Sequence, residues 1–299
     1  MTRHPSRDAL VATAGETIAH GSKSFAAASR LFDRTTRQRA WLLYAWCRAC
    51  DDIADGQVLG HGMVQVDDGP ARLARVRALT EGVLAGTWVG DPAFDGLRFV
   101  VAETGLPRAL IDDHLAGFAL DAEGWRPASE DDLLRYCYHV AGAVGCMMAV
   151  VMGVAPDDDA TLDRASDLGL AFQLANIARD IDEDARAGRS YLPARWSGVP
   201  RAEAGRRLAA MAQTYEASAR YGTPALQYRS AWAVLAAARI YGGIARRVAA
   251  LGEAAWDARV TTSGAEKLAA IGAAAAEAAT RRRRFPPTPR APGLWKRPQ

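Results

Sequence analysis

Two clusters of acidic side chains carry the most pointed chemistry in this 299-residue chain. In LYAWCRACDDIAD, Tyr44, Arg48, Asp51 and Asp55 recur at steps of four, three and four, so on a helix they form one stripe, with Asp52 about 100° away. In QLANIARDIDEDARAGRSYLP, Gln173, Asn176, Asp180 and Asp184 recur at steps of three, four and four. On a solvated face such clusters are cheap, because an i,i+4 like-charge pair costs only about 0.2–0.5 kcal/mol. In a cleft, two carboxylates about 6 Å apart repel by about 3 kcal/mol at an effective dielectric near 20, and four of them need a counter-charge. The apolar runs that lead into the clusters, Trp41–Trp46 and Leu168–Leu174, favour the cleft. A hard divalent cation such as Mg²⁺ supplies the compensation, since it takes oxygen ligands, keeps several waters and bridges one or two carboxylates to substrate phosphates.

The first cluster also contains a CxxC pair, Cys47 and Cys50. A structural zinc would need two further N or S ligands, and Cys137 and Cys146, nine residues apart, make no second pair. No βαβ pattern surrounds the thiols to suggest a redox motif, so they are expected to pack the helix.

The elements that must position these residues read as helices. Apolar residues recur at three- and four-residue spacings over Arg37–Ala54, Asp131–Gly153, Thr161–Ala185, Ala202–Ala219 and Ala231–Leu251, and strand signals are scarce. Ser129 with Asp132 predicts a helix start, and Gly153 with Pro156 its end. With 49% hydrophobic residues and no linker between halves, residues 1–280 are expected to form one all-α domain. The most apolar run, Val140–Ala155, is shorter than the roughly 20 residues of a bilayer span, and the N-terminus lacks a secretory core; a cytoplasmic protein with reduced cysteines is expected. Residues 281–299 form a Pro-rich tail with seven Lys or Arg and no acid, leaving −4 on the rest of a chain whose net charge is +3. Such a tail suits solvent, nucleic acid or an anionic membrane surface, and the acidic body argues against nucleic acid.

In combination, GSKSF (Gly21–Phe25), LYAWCRACDDIAD (Leu43–Asp55), YCYHVAGAVG (Tyr136–Gly145), QLANIARDIDEDARAGRSYLP (Gln173–Pro193), ARIY (Ala238–Tyr241) and the terminal LWKRP resemble the squalene and phytoene synthase family, and within it the bacterial phytoene synthases of carotenoid biosynthesis. The resemblance implies an isoprenoid synthase fold with two Asp-rich helices flanking a central cavity. It implies that Asp51, Asp55, Asp180 and Asp184, with Asn176 and Gln173 beside them, hold Mg²⁺ (or Mn²⁺) on the diphosphates. Ser22, Tyr44, Arg48, Arg179, Tyr241 and Arg259 match positions that contact diphosphate or close the site, and Tyr136, Val140, Ala141 and Gly145 match the wall of a prenyl tunnel. Two positions depart from the pattern: some relatives have His where Gly21 stands, and Asp182 replaces a common glycine. Lone His20 is therefore read as structural, and Asp182 as a bystander facing solvent.

The implied reaction joins two geranylgeranyl diphosphates head to head in two ionisations, through the cyclopropyl intermediate prephytoene diphosphate, with no NADPH. Arg48 and Arg179 would stabilise the leaving diphosphate, and walls formed by Val140, Ala141, Val144 and Leu174 would keep water from the cation. The oily substrate and product suggest peripheral association with the inner face of the cytoplasmic membrane and contact with other carotenoid-pathway enzymes. Squalene or dehydrosqualene synthesis from farnesyl diphosphate is the close rival. A terpene cyclase fits less well because Asp180 and Asp184 stand where its second metal motif carries Ser or Thr and Glu. A non-catalytic relative would be expected to have lost aspartates.

Overall fold

Local chemistry sets where the helices begin and end. The computed structural model describes residues 4–55 and 68–298, with the side chains of Lys23, Ser24 and Asp55 outside that description. Among the described residues every regular element is helical: α1 (Arg7–Gly21), α2 (Lys23–Ser29), α3 (Arg34–Asp55), α4 (Gly69–Leu84), α5 (Pro92–Thr104), α6 (Arg108–Ala122), α7 (Glu130–Cys137), α8 (Ala143–Val151), α9 (Asp159–Arg186), α10 (Arg201–Arg220), α11 (Tyr228–Leu251) and α12 (Gly264–Arg284). Ser129 and Asp132 form a reciprocal capping box at the start of α7, as their spacing predicts, and Ser263 and Glu266 form another at α12. Beyond α8, Gly153 turns the chain at φ 94°.

Between α7 and α8 the sequence predicts one continuous α-helix, and the structure has a π turn at Tyr138–Gly142, with the Ala143 N–H donating to the Tyr138 carbonyl. The turn has a consequence for the cavity wall. Tyr136, Val140, Val144, Met148 and Met152 follow one another at steps of four and all line the cavity. In a regular α-helix that stripe would drift by about 40° per step, and the wider π turn takes back part of the drift. The stretch Glu130–Val151 is long and apolar enough to cross a bilayer, yet it is mostly buried and packs between α6 and α9.

Two apolar clusters form the core. One gathers α1, α3, α5 and α8 around Trp46, Phe94 and Met147; the other gathers α7, α9, α10 and α11 around Leu133, Leu174 and Leu208. α8 crosses α9 at very close range: a Cβ on Gly145 would stand 2.4 Å from the Ala165 carbonyl oxygen, and one on Gly169 would stand 2.2 Å from that of Ala141.

The segment expected as a basic tail is part of the fold. The expected boundary at residue 281 falls inside α12, and Arg281 is buried, donating to the Leu226 and Ala278 carbonyls. The helix does stop at Arg284, ahead of the prolines, and the chain then folds back over α9 and α10. Arg290 makes a two-point pair with fully buried Asp167 at 3.0 and 2.5 Å, and the Arg297 Nε donates to Asp163 at 2.9 Å. Trp295 packs against Tyr138, and its backbone N–H donates to the Tyr215 hydroxyl. Of the seven cations, Arg282, Arg283, Arg284 and Lys296 remain exposed.

Candidate active site

α3 and α9 bring both acidic stripes onto one cavity of about 800 Å³. Tyr44, Arg48 and Asp51 line it from α3, and Gln173, Asn176, Arg179, Asp180 and Asp184 from α9. Ser22, Tyr136, Val140, Ala141, Gly145, Tyr241 and Arg259 complete the predicted lining. The side chain of Asp55, the last residue of α3, lies outside the described residues.

At the acidic end, arginines act as counter-ions. Arg48 pairs with Asp51 and stands 4.0 Å from Asp52. Arg179 grips Asp180 with two donors, Nε at 2.8 Å and Nη2 at 2.5 Å, and Arg259 reaches the same carboxylate at 3.2 Å while also pairing with Glu183. Asp184 differs: burial, reinforced by the charge of Asp180, pushes its carboxyl up to about 7, against the pull of Arg189 and Arg179. A group so placed sheds its proton when a cation arrives. Asp182 points away from the cavity and pairs with Arg201 at 2.5 Å, so it takes an internal partner where a bare solvent-facing acid was expected.

Aromatic rings stand beside the charged end. Tyr241 stacks on Phe172 at 4.2 Å, and Phe25 lies 5.9 Å from Tyr241 and 6.2 Å from Tyr44. Burial pushes the Tyr44 hydroxyl up to about 12, so it stays a neutral donor. Gly21 is explained by Tyr44, whose hydroxyl lies 2.6 Å from where a Cβ would be. Ser22 caps α2 by accepting from the Phe25 N–H, and His20 Nδ1 donates to the Glu16 carbonyl, a local structural bond.

Several lining residues were not anticipated. Asp121 accepts from Tyr136 at 3.1 Å and from Tyr191 at 3.3 Å, and the two rings stack at 4.8 Å. Tyr191 and Arg189 belong to the RSYLP run that follows the second acidic stripe, a signal that was available; Asp121 has no local pattern. Cys47 lines the cavity while Cys50 is core, and burial raises both thiols, which suits packing and not nucleophilic use. Leu174, expected in the wall, is fully buried in the second cluster, and Leu168 and Phe172 line the cavity from α9 instead. Gly145 does line the cavity, but the close approach of α8 to the Ala165 carbonyl is what requires a glycine there.

Comparison with known proteins decides what this geometry belongs to. The family description "Squalene/phytoene synthase" matches residues 18–266, a span that includes both stripes. The chain belongs to the squalene/phytoene synthase family. The 15-cis-phytoene synthase of Pantoea ananas is 46% identical over 306 residues, covering 97% of this chain and 98% of that protein. The 15-cis-phytoene synthase of Enterobacter agglomerans is 47% identical over 295 residues, covering 93% and 99%. Among solved structures, a dehydrosqualene synthase in complex with ligand superposes with a TM-score of 0.82 at 26% identity, covering 92% of this chain and 98% of that one. The fold is the all-α fold of these synthases.

The donor set suits the metal chemistry of the squalene/phytoene synthase family. Among the described residues no three His, Cys, Asp or Glu side chains converge as a ready-made cage. Mg²⁺ needs none, because it keeps waters and takes its remaining ligands from substrate phosphates. The carboxylates of Asp51, Asp180 and Asp184 and the amide of Asn176 are all hard oxygen donors on one cavity. The raised carboxyl of Asp184, buried beside Asp180, and the doubled arginine on Asp180 mark where positive charge is wanted.

Proposed function

We propose that the protein is a 15-cis-phytoene synthase, a prenyltransferase that joins two geranylgeranyl diphosphates head to head and releases two diphosphates and two protons. The carrying observation is a single cavity whose charged end, framed by Asp51, Asp180, Asp184, Arg48 and Arg179, continues into an apolar tunnel. The high identity of proteins named phytoene synthase along nearly the whole chain supports the reading. A prenyl diphosphate is the substrate class that family membership carries.

When bound, Mg²⁺ would neutralise charge on the departing diphosphate; Asp51, Asp180, Asp184 and Asn176, with Asp55, would hold it. Arg48, Arg179 and Arg259 lie on those carboxylates and can turn their guanidinium groups to the diphosphate as the carboxylates engage the cation. The first ionisation gives an allylic cation, captured by the C2=C3 bond of the second substrate, and loss of one proton from the resulting cation closes the cyclopropane ring of prephytoene diphosphate. The second ionisation opens the cyclopropane ring, and loss of a second proton gives phytoene, so no electrons are required from NADPH. The faces of Tyr44, Phe172 and Tyr241 favour positive charge, and Val140, Ala141 and Val144 exclude water that would quench it.

The structural likeness to a dehydrosqualene synthase favours a second reading, the same chemistry on farnesyl diphosphate. Purified protein incubated with Mg²⁺ and labelled farnesyl or geranylgeranyl diphosphate, with and without NADPH, separates the two. A C40 hydrocarbon formed without NADPH is expected. A C30 product alone transfers the assignment to the rival, and no hydrocarbon from either substrate removes both. We also propose that the protein works at the inner face of the cytoplasmic membrane, where its oily substrate and product reside, with Arg282, Arg283 and Arg284 as the contact.

A further inference from the structure

A second, smaller pocket lies against the charged end of the cavity. It encloses about 150 Å³ between α9, α11 and the stretch that leads into α12. Arg179, Tyr241 and Arg259 line both spaces, so they form the partition between them. The rest of the wall is Ile240, Ile244, Val260, Thr261, Thr262 and Lys267. Among the described residues that line it, three are cations and none is an acid. The nearby acids are engaged: Asp180 accepts from Arg179 and Arg259, Glu183 pairs with Arg259, and Glu266, one residue before Lys267, pairs with Arg247. Lys267 is partly buried and, among the described residues, pairs with no acid. Arg179, Arg259 and Lys267 thus face only the two carboxylates of Asp180 and Glu183, and a positive charge is left over.

Size and chemistry select the occupant. Pockets that hold drug-sized molecules run to about 300–1,000 Å³, so this one takes a small group and excludes a prenyl chain. Two guanidinium forks and an ammonium around one space suit a phosphoryl oxyanion, which accepts from all of them. Ile240, Ile244 and Val260, all buried, back the pocket with apolar surface, against which such attractions are stronger than in water. The proposed reaction releases diphosphate on the other side of the Arg179 partition twice per turnover. The first diphosphate has to clear the cavity while prephytoene diphosphate still occupies it.

We propose that this pocket is an exit site for inorganic diphosphate, in which Arg179 and Arg259 pass the released anion across the partition and Lys267 holds it outside the cavity. The inference rests on the prenyl-diphosphate reading of the site and adds a second anion site to it. Calorimetric titration of the full-length chain with inorganic diphosphate in EDTA reads the pocket without metal-dependent binding in the cavity. Lys267→Gln is expected to weaken binding at least tenfold, while Lys267→Arg, which keeps the charge, stays within threefold of the parent. Arg48→Gln, which removes a cation of the cavity alone, is also expected to stay within threefold. Inorganic phosphate, with fewer oxygens for three cations, should bind at least tenfold more weakly than diphosphate. Binding that ignores Lys267→Gln, that Arg48→Gln weakens equally, or that phosphate matches overturns the proposal. Turnover gives a second reading: with Mg²⁺ and saturating geranylgeranyl diphosphate, added inorganic diphosphate should still lower kcat in the parent, because substrate cannot displace it from a separate pocket. Lys267→Gln should lose that part of the inhibition with KM unchanged within twofold, and purely competitive inhibition of the parent overturns the exit role. A chain that makes no hydrocarbon from either prenyl diphosphate yet binds diphosphate through Lys267 sinks the functional reading and leaves the anion site standing.

Discussion

At the scale of single residues the site is organised around charges that hold one another in check. Asp180 carries two arginines, so Asp180→Asn removes both a cation ligand and the anchor of Arg179 and Arg259. Turnover is expected to fall at least tenfold, measured with saturating Mg²⁺ and labelled substrate, and Asp51→Asn should do the same through Arg48. Cys50, buried in the core and off the cavity, is the control: Cys50→Ala should keep turnover within twofold, and a loss in a folded variant would return the thiols to the chemistry. Asp184 gives a pH signature. Its folded pKa, raised to about 7, means that it binds a proton more tightly in the folded chain than in the unfolded one. Its contribution to stability is therefore full below the usual carboxylate range and is lost as pH rises through about 7. Cation binding runs the other way, because the cation requires the carboxylate: apparent Mg²⁺ affinity should rise between pH 6 and pH 8 with proton release. Calorimetric titration in two buffers of different ionisation enthalpy measures the proton, and the dependence should flatten in Asp184→Asn.

At the scale of elements, the crossing of α8 on α9 fixes the cavity's width. Gly169→Ala would drive a methyl group into the Ala141 carbonyl, on the π turn that presents Val140 and Ala141 to the tunnel. Such overpacking typically costs about 1–3 kcal/mol, so a melting temperature lower by several degrees is expected. The tunnel should distort with it, raising KM more than it lowers kcat. Much at this scale was legible in the sequence because apolar periodicity is a local signal. The predicted Arg37–Ala54 lies inside α3 and Thr161–Ala185 inside α9; the missing turns are polar ones set by caps such as Asp158, whose side chain accepts from the Thr161 N–H. The three- and four-residue steps of each acidic stripe likewise gave the cavity side of α3 and α9. The π turn left no trace, since its residues serve an α-helix equally well, and the glycine at position 145 looked like room for a chain because the carbonyl it clears lies on another helix. Asp121 was out of reach for the same reason: its partners Tyr136 and Tyr191 stand 15 and 70 positions away.

At the scale of the whole molecule, the C-terminal segment was misjudged by composition. Arginines near prolines read as solvated, yet the acids that bind them lie 123 positions away at Asp167 and 134 at Asp163. That pairing changes how membrane attachment has to be tested. Deleting residues 281–299 would strip the counter-ion from fully buried Asp167 and the Thr288 carbonyl from Arg164, and an orphaned buried charge commonly costs about 3–5 kcal/mol. A truncated chain that failed to bind vesicles would thus report unfolding as readily as lost contact. The exposed cations Arg282, Arg283 and Arg284 can be changed without touching those bonds, and glutamine keeps the last turn of α12 helical. Each basic residue near an anionic surface contributes about 1 kcal/mol, so replacing all three by Gln should weaken partition onto phosphatidylserine-containing vesicles by about 100-fold at low salt, with a smaller change at 0.5 M salt. The melting temperature and turnover in detergent should stay close to those of the parent, because Arg281 and Arg290 keep their partners. Equal partition of parent and variant at low salt would remove this end of the molecule from the membrane contact.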